Sequence, residues 1–498
     1  MEVLQRTANR GSISTGYDID NSLLLDNSDS SMEYNHHQMS PGGDDQWSAQ
    51  SNAGTNSKKA TISMWIKRSK LSPSSGAGQY ARLFQFQTGG NATSLYFVTD
   101  QLKMYDDVTS ASLQTNRKFR DTSAWYHIVL AMDSTQATAA NRVKLYVNGV
   151  QETSWATEDY GNQNSDLAMF SATNIIFYLG CAAGNGQGYT FDGYMTEFHF
   201  VDGAQKAASD FGEYDGDSGI WKPKKYTGSY GTLGCYYNFE DTSSNRFNDE
   251  SGNGNFMNNR GGSFEGEITT DTPTNNFCTM NVNDRRNGNI KTQMGGTYVT
   301  TDGGSGWCSM NATMAVGSGK WYWEALYFNN GDADDVHIGV APANDRFIPH
   351  NPSGYYLGNV ETGGSMGWDL DGGTNYNQNG SWGNPSRGDK LMVALDMDNY
   401  KLYYGINGTW GNSADPANGT GSVTSMDTYW MSEAGALDFV HPSVSVYQGN
   451  YMKGFNFGGY CAWTIASAAS DENGYGTFEY APPSGFYALC TKNLAEYG

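Results

Sequence analysis

Strict alternation of apolar and polar side chains, closed again and again by Asn-Gly and Asp-Gly, is the feature that most limits what this chain can become. Period two is the signature of a strand with one buried face, and it cannot be laid onto a helix without scattering the apolar residues. ATISMWIKR (60–68) sets Ile62, Met64 and Ile66 against Thr61, Ser63, Trp65 and Lys67. WYHIVLAMD (125–133) groups Tyr126, Ile128, Leu130 and Met132. RVKLYVNGV (142–150) groups Val143, Leu145 and Val147, then turns at Asn148-Gly149, a hairpin dipeptide that accepts positive φ at both positions. ARLFQFQ (81–87) reads with Leu83 on one face and Phe84 and Phe86 on the other, and FDGYMTEFHFVDG (191–203) as one alternating strand between two Asp-Gly turns.

The second half repeats this grammar. GKWYWEALYF (319–328) is a long aromatic strand and VHIGVA (336–341) a shorter one. DKLMVALDMD (389–398) groups Leu391, Val393 and Leu395, and KLYYGING (401–408) groups Leu402, Tyr404 and Ile406 before turning at Asn407-Gly408. In both halves an apolar strand ends in Asp and a KLY strand ending in Asn-Gly comes next, roughly 260 residues apart, which implies two related domains. Aromatics at 14% and 62 glycines suit short strands and tight turns, and no stretch sustains a helical period. Without helical crossovers the sheets are expected to be antiparallel and stacked in pairs. The expected division is an N-terminal arm over 1–19, a sandwich over 20–206, a linker packed on the domains over 207–275, a second sandwich over 276–460, and a C-terminal segment over 461–498.

With 52 Asp and Glu against 30 Lys and Arg, the net charge is −22. Nucleic acid is therefore not an expected partner, because phosphate binding needs a cationic face. No apolar run reaches the length of a membrane span, and MEVLQRTANRGSIS lacks the apolar core of a signal peptide, so synthesis in the cytoplasm without Sec-type export is expected. The six cysteines are scattered without metal or redox spacing and are expected as reduced, buried thiols.

TISMWIKR, AWYHIVLAMD, VKLYVNG and FDGYMTEFHFVDG, in that order, resemble the laminin-G-like, concanavalin A-like fold. GKWYWEALYF, VHIGVA, GWDLDGG, GDKLMVALDMDNYKLYYGING and FVHPSVSV resemble a SPRY domain. The fold expectation is thus all-β: two concanavalin A-like antiparallel β-sandwich (jelly-roll) domains in tandem. The ordered set EFHFVDG, DSGIWKPKKYTGSYGT, DESGNGN, TDTPTNNFCTMN and YAPPSGFYALCTKNL is similar to a class of proteins common in marine phage genomes. That resemblance implies a virion fibre, spike or head appendage. Its partners would be other virion proteins, further copies of the chain (a trimer first) and host-surface glycan or protein, with a purely architectural decoration role as the alternative.

The fold also hosts glycoside hydrolases, which need two carboxylates facing one bond. FGEYDGDSG offers Glu213, Asp215 and Asp217, but the Glu-x-Asp-x-Glu pattern fails at Asp217, so a solvated acidic loop is the reading and no catalytic residue is assigned. His127, His199 and His337 fall in strand patterns, and no nucleophile elbow accompanies any histidine. Resident cofactors are not expected. Laminin-G-like domains often hold calcium in rim loops, and the resemblance would place it at Asp192 and Asp202, or at Asp332, Asp334 and Asp335, although no spacing matches a defined calcium loop. By its likeness to SPRY domains, the ligand surface would comprise Tyr355, Tyr356, Trp368, Tyr376, Trp382 and Trp410 in the second domain, with core or interface packing as the competing role.

Overall fold

The computed structural model describes residues 16–26, 54–71, 80–88, 90–170, 175–180, 190–240, 248–255, 267–286, 290–301, 307–327, 336–343, 366–369, 375–376, 383, 385–422, 439–447, 451–452 and 454–498. They form two compact units, one within Ser14–Thr274 and one within Asn275–Gly498. Every described strand pair but one is antiparallel, and the one described α-helix is Thr491–Tyr497.

In the first unit one sheet runs in the order Glu267–Thr269, Ser22–Leu25, Gly193–Asp202, Lys59–Arg68, Trp125–Asp133, Val143–Val147, Val150–Gln151. Cys235–Tyr237 pairs with the second half of Gly193–Asp202. The other sheet runs Trp155–Asp159, Ala111–Lys118, Gln101–Asp106, Asn91–Val98, Tyr80–Thr88, Ile175–Leu179. Ile62, Met64, Ile66, Ile128, Leu130, Leu145 and Phe200 from the first meet Phe86, Leu95, Phe97, Met104 and Leu113 from the second in one continuous core. The alternation predicted the inward faces of 60–68, 125–133 and 142–150.

Two strands depart from the alternation, each at a bulge. Pairing of Tyr80–Thr88 shifts register between Arg82 and Phe84, so Leu83 and Phe84 both enter the core rather than facing apart. Gly193–Asp202 shifts between Thr196 and His199, and Glu197 takes a positive φ of 52°. A bulge inserts one residue and flips the inward–outward phase of the rest of the strand. Phe198 and Phe200 thereby face inward with Met195, and Glu197 and His199 both turn outward.

The outward face is not solvated. Thr61, Ser63, Trp65, Lys67, His127 and His199 are all under 5% exposed. Residues 204–230 lie across much of this face as a third layer, with Ala208, Phe211 and Tyr226 packed on Val129 and Val201. The sequence reads 207–275 as a linker, but the described parts of this stretch belong to the first unit. Gly212–Tyr214 and Trp221–Pro223 form a hairpin, and Glu267–Thr269 is the sheet's edge strand. Asp271 accepts a 2.8 Å ion pair from Lys67 and the Trp125 indole N–H at 3.2 Å, with both charged groups about 1% exposed. Tyr17, within the expected arm, donates to Glu197 at 3.0 Å, so the unit begins before residue 20.

The second unit repeats the plan. One sheet runs Met280–Arg286, Trp307–Ala312, Val440–Tyr447, Val336–Pro342, Met366–Asp369, Asn375–Tyr376. The facing one runs Thr409–Trp410, Lys401–Ile406, Lys390–Asp396, Lys320–Leu326, Phe455–Asn456, with Tyr487–Ala488 pairing in parallel with Lys320–Leu326. A small third sheet holds Ile290–Gln293, Tyr298–Thr301 and Tyr451–Met452. Trp321, Trp323, Leu391, Val393, Leu395 and Tyr404 pack against Met310, Ile338, Val340, Val444 and Val446. Again a covering layer lies outside: Phe478, Phe486, Ala488 and Cys490 pack on Tyr322, Met392, Ala394 and Tyr403. Beneath it the fully buried Glu324 carboxylate accepts the Glu479 and Tyr480 backbone N–H groups at 2.9 and 2.8 Å, the Tyr322 hydroxyl at 3.0 Å and the Asn456 amide at 3.2 Å. Among the described residues no helix is long and apolar enough to cross a membrane.

Candidate functional site

The hairpin turn after Val143–Val147 builds one wall of a surface groove. Asn148 (φ 47°) and Gly149 (φ 80°) supply the two left-handed residues of the turn, and the Asn148 side chain accepts the His127 backbone N–H at 2.7 Å. The missing side chain at Gly149 is needed sterically as well. A Cβ there would lie 2.5 Å from Trp221 Cζ3 and 2.8 Å from its Cδ2, and a Cβ at Gly212 would lie 2.5 Å from Trp221 Cζ2. Two glycines thus leave room for one indole.

That indole is also held from below. Trp221 Nε1 donates to His127 Nδ1 at 2.9 Å, and His127 Nε2 lies 2.9 Å from the Ser63 hydroxyl. Because Nδ1 accepts, the single proton of the neutral ring sits on Nε2 and is donated to Ser63. His127 stacks on Trp65 at 4.7 Å and beneath Trp221 at 5.9 Å. Burial drives the His127 pKa down to about 3, so the ring stays neutral at physiological pH. A serine beside a histidine invites a nucleophilic reading. The tautomer opposes it, since the nitrogen facing Ser63 carries the proton that a general base would have to take up.

Tyr214 stands edge-on to Trp221 at 4.9 Å and is 54% exposed, the most exposed of the large hydrophobic side chains described. With Tyr146, Trp221, Glu213, Ser209 and Lys224 it lines an open groove of about 330 Å³. Glu213 is half-exposed and 3.8 Å from Lys222 Nζ. Asp215 is fully engaged: it accepts the Asp217 and Ser218 backbone N–H groups and the Ser218 hydroxyl, and pairs with Lys222 at 3.2 Å. Those bonds, the Ser218 backbone N–H first, hold its carboxyl well below the usual range. The acids of FGEYDGDSG are therefore a turn clasp, Asp215, and two exposed carboxylates, Glu213 and Asp217, with both Asp215 oxygens engaged by the turn and Lys222.

A second cluster lies under the same layer. Glu197 accepts from Tyr236 at 2.6 Å and from Tyr17 at 3.0 Å, and His199 Nδ1 meets the Tyr230 hydroxyl at 2.8 Å. Burial, then the Glu197 charge, raises the Tyr17, Tyr230 and Tyr236 pKa values, keeping these phenols as donors. It is a closed, satisfied network that anchors the covering segment.

The expected site residues distribute differently. Trp410 is half-buried, edge-on to Tyr322 at 6.4 Å against the second unit's covering layer, so packing engages the ring. Trp368 and Tyr376 lie on the adjacent strands Met366–Asp369 and Asn375–Tyr376 at one end of the opposite sheet, not in loops. Tyr355, Tyr356 and Trp382 lie outside the described residues, as do Asp332, Asp334 and Asp335. Asp192 and Asp202 cannot share one cation. The strand Gly193–Asp202 separates them, and ten residues at about 3.3 Å each span roughly 30 Å. Asp192 sits 3.8 Å from Lys70, whereas Asp202 caps a turn by accepting the Thr55, Thr232 and Leu233 N–H groups. Among the described residues no three of His, Cys, Asp and Glu gather as a metal cluster. His127, His199 and His337 are each no more than 2% exposed. Cys235, Cys308 and Cys490 are buried, and burial pushes the Cys308 thiol up to about 11 and Cys490 to about 12.

Tyr214 and Trp221 escape the sequence reading because 207–275 reads as linker, and Tyr146 because it falls on the polar face of its strand. A usable signal is nonetheless present: Trp65, His127, Tyr146 and Tyr194 all fall on the nominally polar face of their strands. Rings repeated on that face mark a surface that something covers.

Residues 41–209 match the family described as the concanavalin A-like lectin/glucanases superfamily. The first unit thus carries a laminin G-like, concanavalin A-like domain, a type of module that suggests binding. Solved structures similar to the chain include the SPRY domain of human HERC1, at 16% identity with a TM-score of 0.26, covering 35% of this chain and 94% of that one. Another human SPRY domain shows 14% identity and a TM-score of 0.23, covering 34% and 94%. Domains LG4-5 of mouse laminin alpha1 show 9% identity and a TM-score of 0.23, covering 88% and 86%. No curated protein matches the chain.

Proposed function

We propose that the protein is a non-catalytic binding component of a phage virion, a tail fibre, spike or head appendage, that engages host-surface glycan through the first unit. The observation that carries the binding reading is the groove: an exposed Tyr214 ring set upright on a Trp221 whose orientation is fixed by two glycines and His127. Rigid aromatic surface beside a few polar groups is what saccharide and peptide sites share, and fixing it in advance lowers the ordering cost of binding. The concanavalin A-like match over 41–209 favours saccharide. The virion assignment rests on the ordered sequence segments and on an acidic, β-rich chain suited to a crowded assembly. In this reading the chain forms a homotrimer, contacts other virion proteins, and requires neither cofactor nor calcium.

The test is to measure binding of the full chain to host cells and host polysaccharide, with Tyr214→Ala and Trp221→Ala alongside. Binding lost in both variants, with the polysaccharide unshortened after incubation, is expected. Variants that bind like the parent would remove the groove from the reading, and shortened chains would make the protein an enzyme. Mass spectrometry of purified virions tests the virion role, light scattering tests the trimer, and chelator treatment that lowers Tm would reinstate a metal.

A further inference from the structure

We infer that the groove takes an uncharged pyranose ring rather than an acidic, sulfated or amino-substituted saccharide; this rests on the reading of the groove as a glycan site. The chemistry is set by which charges there remain open. The charged side chains lining the groove are one carboxylate, Glu213, and one ammonium, Lys224. Lys224 Nζ already donates to the Ser209 carbonyl at 3.1 Å, and Lys222 behind it is drawn to Asp215 at 3.2 Å and Glu213 at 3.8 Å. Each lysine thus spends a donor on the protein's own oxygens, and as single point charges on flexible stems the two offer no planar fork for a ligand carboxylate or sulfate. The whole-chain charge of −22 adds long-range repulsion against polyanions.

Glu213, by contrast, lines the groove with its side chain 49% exposed and only the 3.8 Å approach of Lys222 on one oxygen. A carboxylate accepts two neighbouring hydroxyls well, and hydroxyls on an uncharged ring bring no desolvation cost of a second ion. Tyr214 and Tyr146 supply ring faces and edges for the C–H side of the same sugar. A cationic sugar would find Glu213 attractive, but it would meet Lys222 and Lys224 beside it. With one open acid and two lysines at its back, the groove is matched to a ligand without net charge.

Calorimetric titration of the full chain against three sets of oligosaccharides tests this: neutral hexose oligomers, uronate or sulfated oligomers, and deacetylated amino-sugar oligomers, each at low and high salt. Neutral oligomers are expected to bind with little salt dependence. Tyr214→Ala should weaken them about tenfold and Glu213→Gln several-fold, while circular dichroism and Tm stay unchanged because both side chains are solvent-facing. Preferred binding of the acidic or amino-sugar set, weakened by salt and by Lys224→Ala or Glu213→Gln respectively, would overturn the neutral class while leaving the groove as the site. Neutral binding that Tyr214→Ala does not alter would overturn the groove itself.

Discussion

His127 shows how one side chain can hold a surface it does not belong to. It is fully buried, stacks between two indoles and passes a hydrogen bond from Trp221 to Ser63. Its folded pKa, about 3, lies below the unfolded value near 6.5, so the unfolded chain binds more protons between these limits. Stability contributed by the neutral ring is complete above pH 6.5 and is lost as the pH falls toward 3, at up to about 1.4 kcal/mol per pH unit. Urea unfolding across the mildly acidic range should therefore show a steeper fall for the parent than for His127→Gln; equal slopes would mean the ring is solvated. Gly149 offers the complementary test. Alanine there must hold φ near 80° and drive its Cβ into Trp221, so Gly149→Ala is expected to cost about 1–2 kcal/mol and to abolish groove binding, read by thermal melt and titration on the same sample.

At the scale of elements, both units solve one problem in one way. Each has a sheet whose outer face is too aromatic for water, and each covers it with an irregular segment from later in the chain. The clasp is again shared: a hairpin glycine abuts a ring of the covering segment, Gly149 against Trp221 and Gly408 against Tyr480. A buried glutamate lies beside each segment: Glu197 accepts from Tyr236 and Tyr17, and Glu324 accepts backbone N–H groups of the covering segment. Glu324 accepts four donors, and an amide cannot do so without turning its own N–H groups on two of them. Glu324→Gln should cost about 1–3 kcal/mol. Burial raises the Glu324 pKa, so its charged form opposes folding as the pH climbs through the carboxylate range, and the penalty of the glutamine should be largest at acidic pH and shrink as the pH rises. The Lys67–Asp271 pair ties the edge strand of the first unit. Asp271→Ala strands a buried ammonium and is expected to cost about 3–5 kcal/mol by urea titration.

For the whole molecule, two closed cores imply two cooperative transitions. In scanning calorimetry Asp271→Ala is expected to lower one transition and Glu324→Gln the other. A single transition shifted equally by both would show the units to be energetically fused.

Period two and the Asn-Gly dipeptides determined by themselves that this chain builds antiparallel sheets, and which face of Lys59–Arg68, Trp125–Asp133 or Lys390–Asp396 points inward. Burying one side of a pleated strand is a local requirement, written residue by residue. Only the tertiary structure decided what becomes of the other side. Whether Trp65, His127 and Tyr322 meet water or a third layer depends on segments far along the chain, which read as a Gly/Asn-rich linker in the first case and as a C-terminal segment in the second. The bulges at Leu83 and Glu197 were hidden for the same reason, since one inserted residue is justified only by the partner strand it faces. The groove exists because Tyr146 of one strand and Tyr214 and Trp221 of a hairpin far along the chain are brought together by the way that hairpin crosses the sheet.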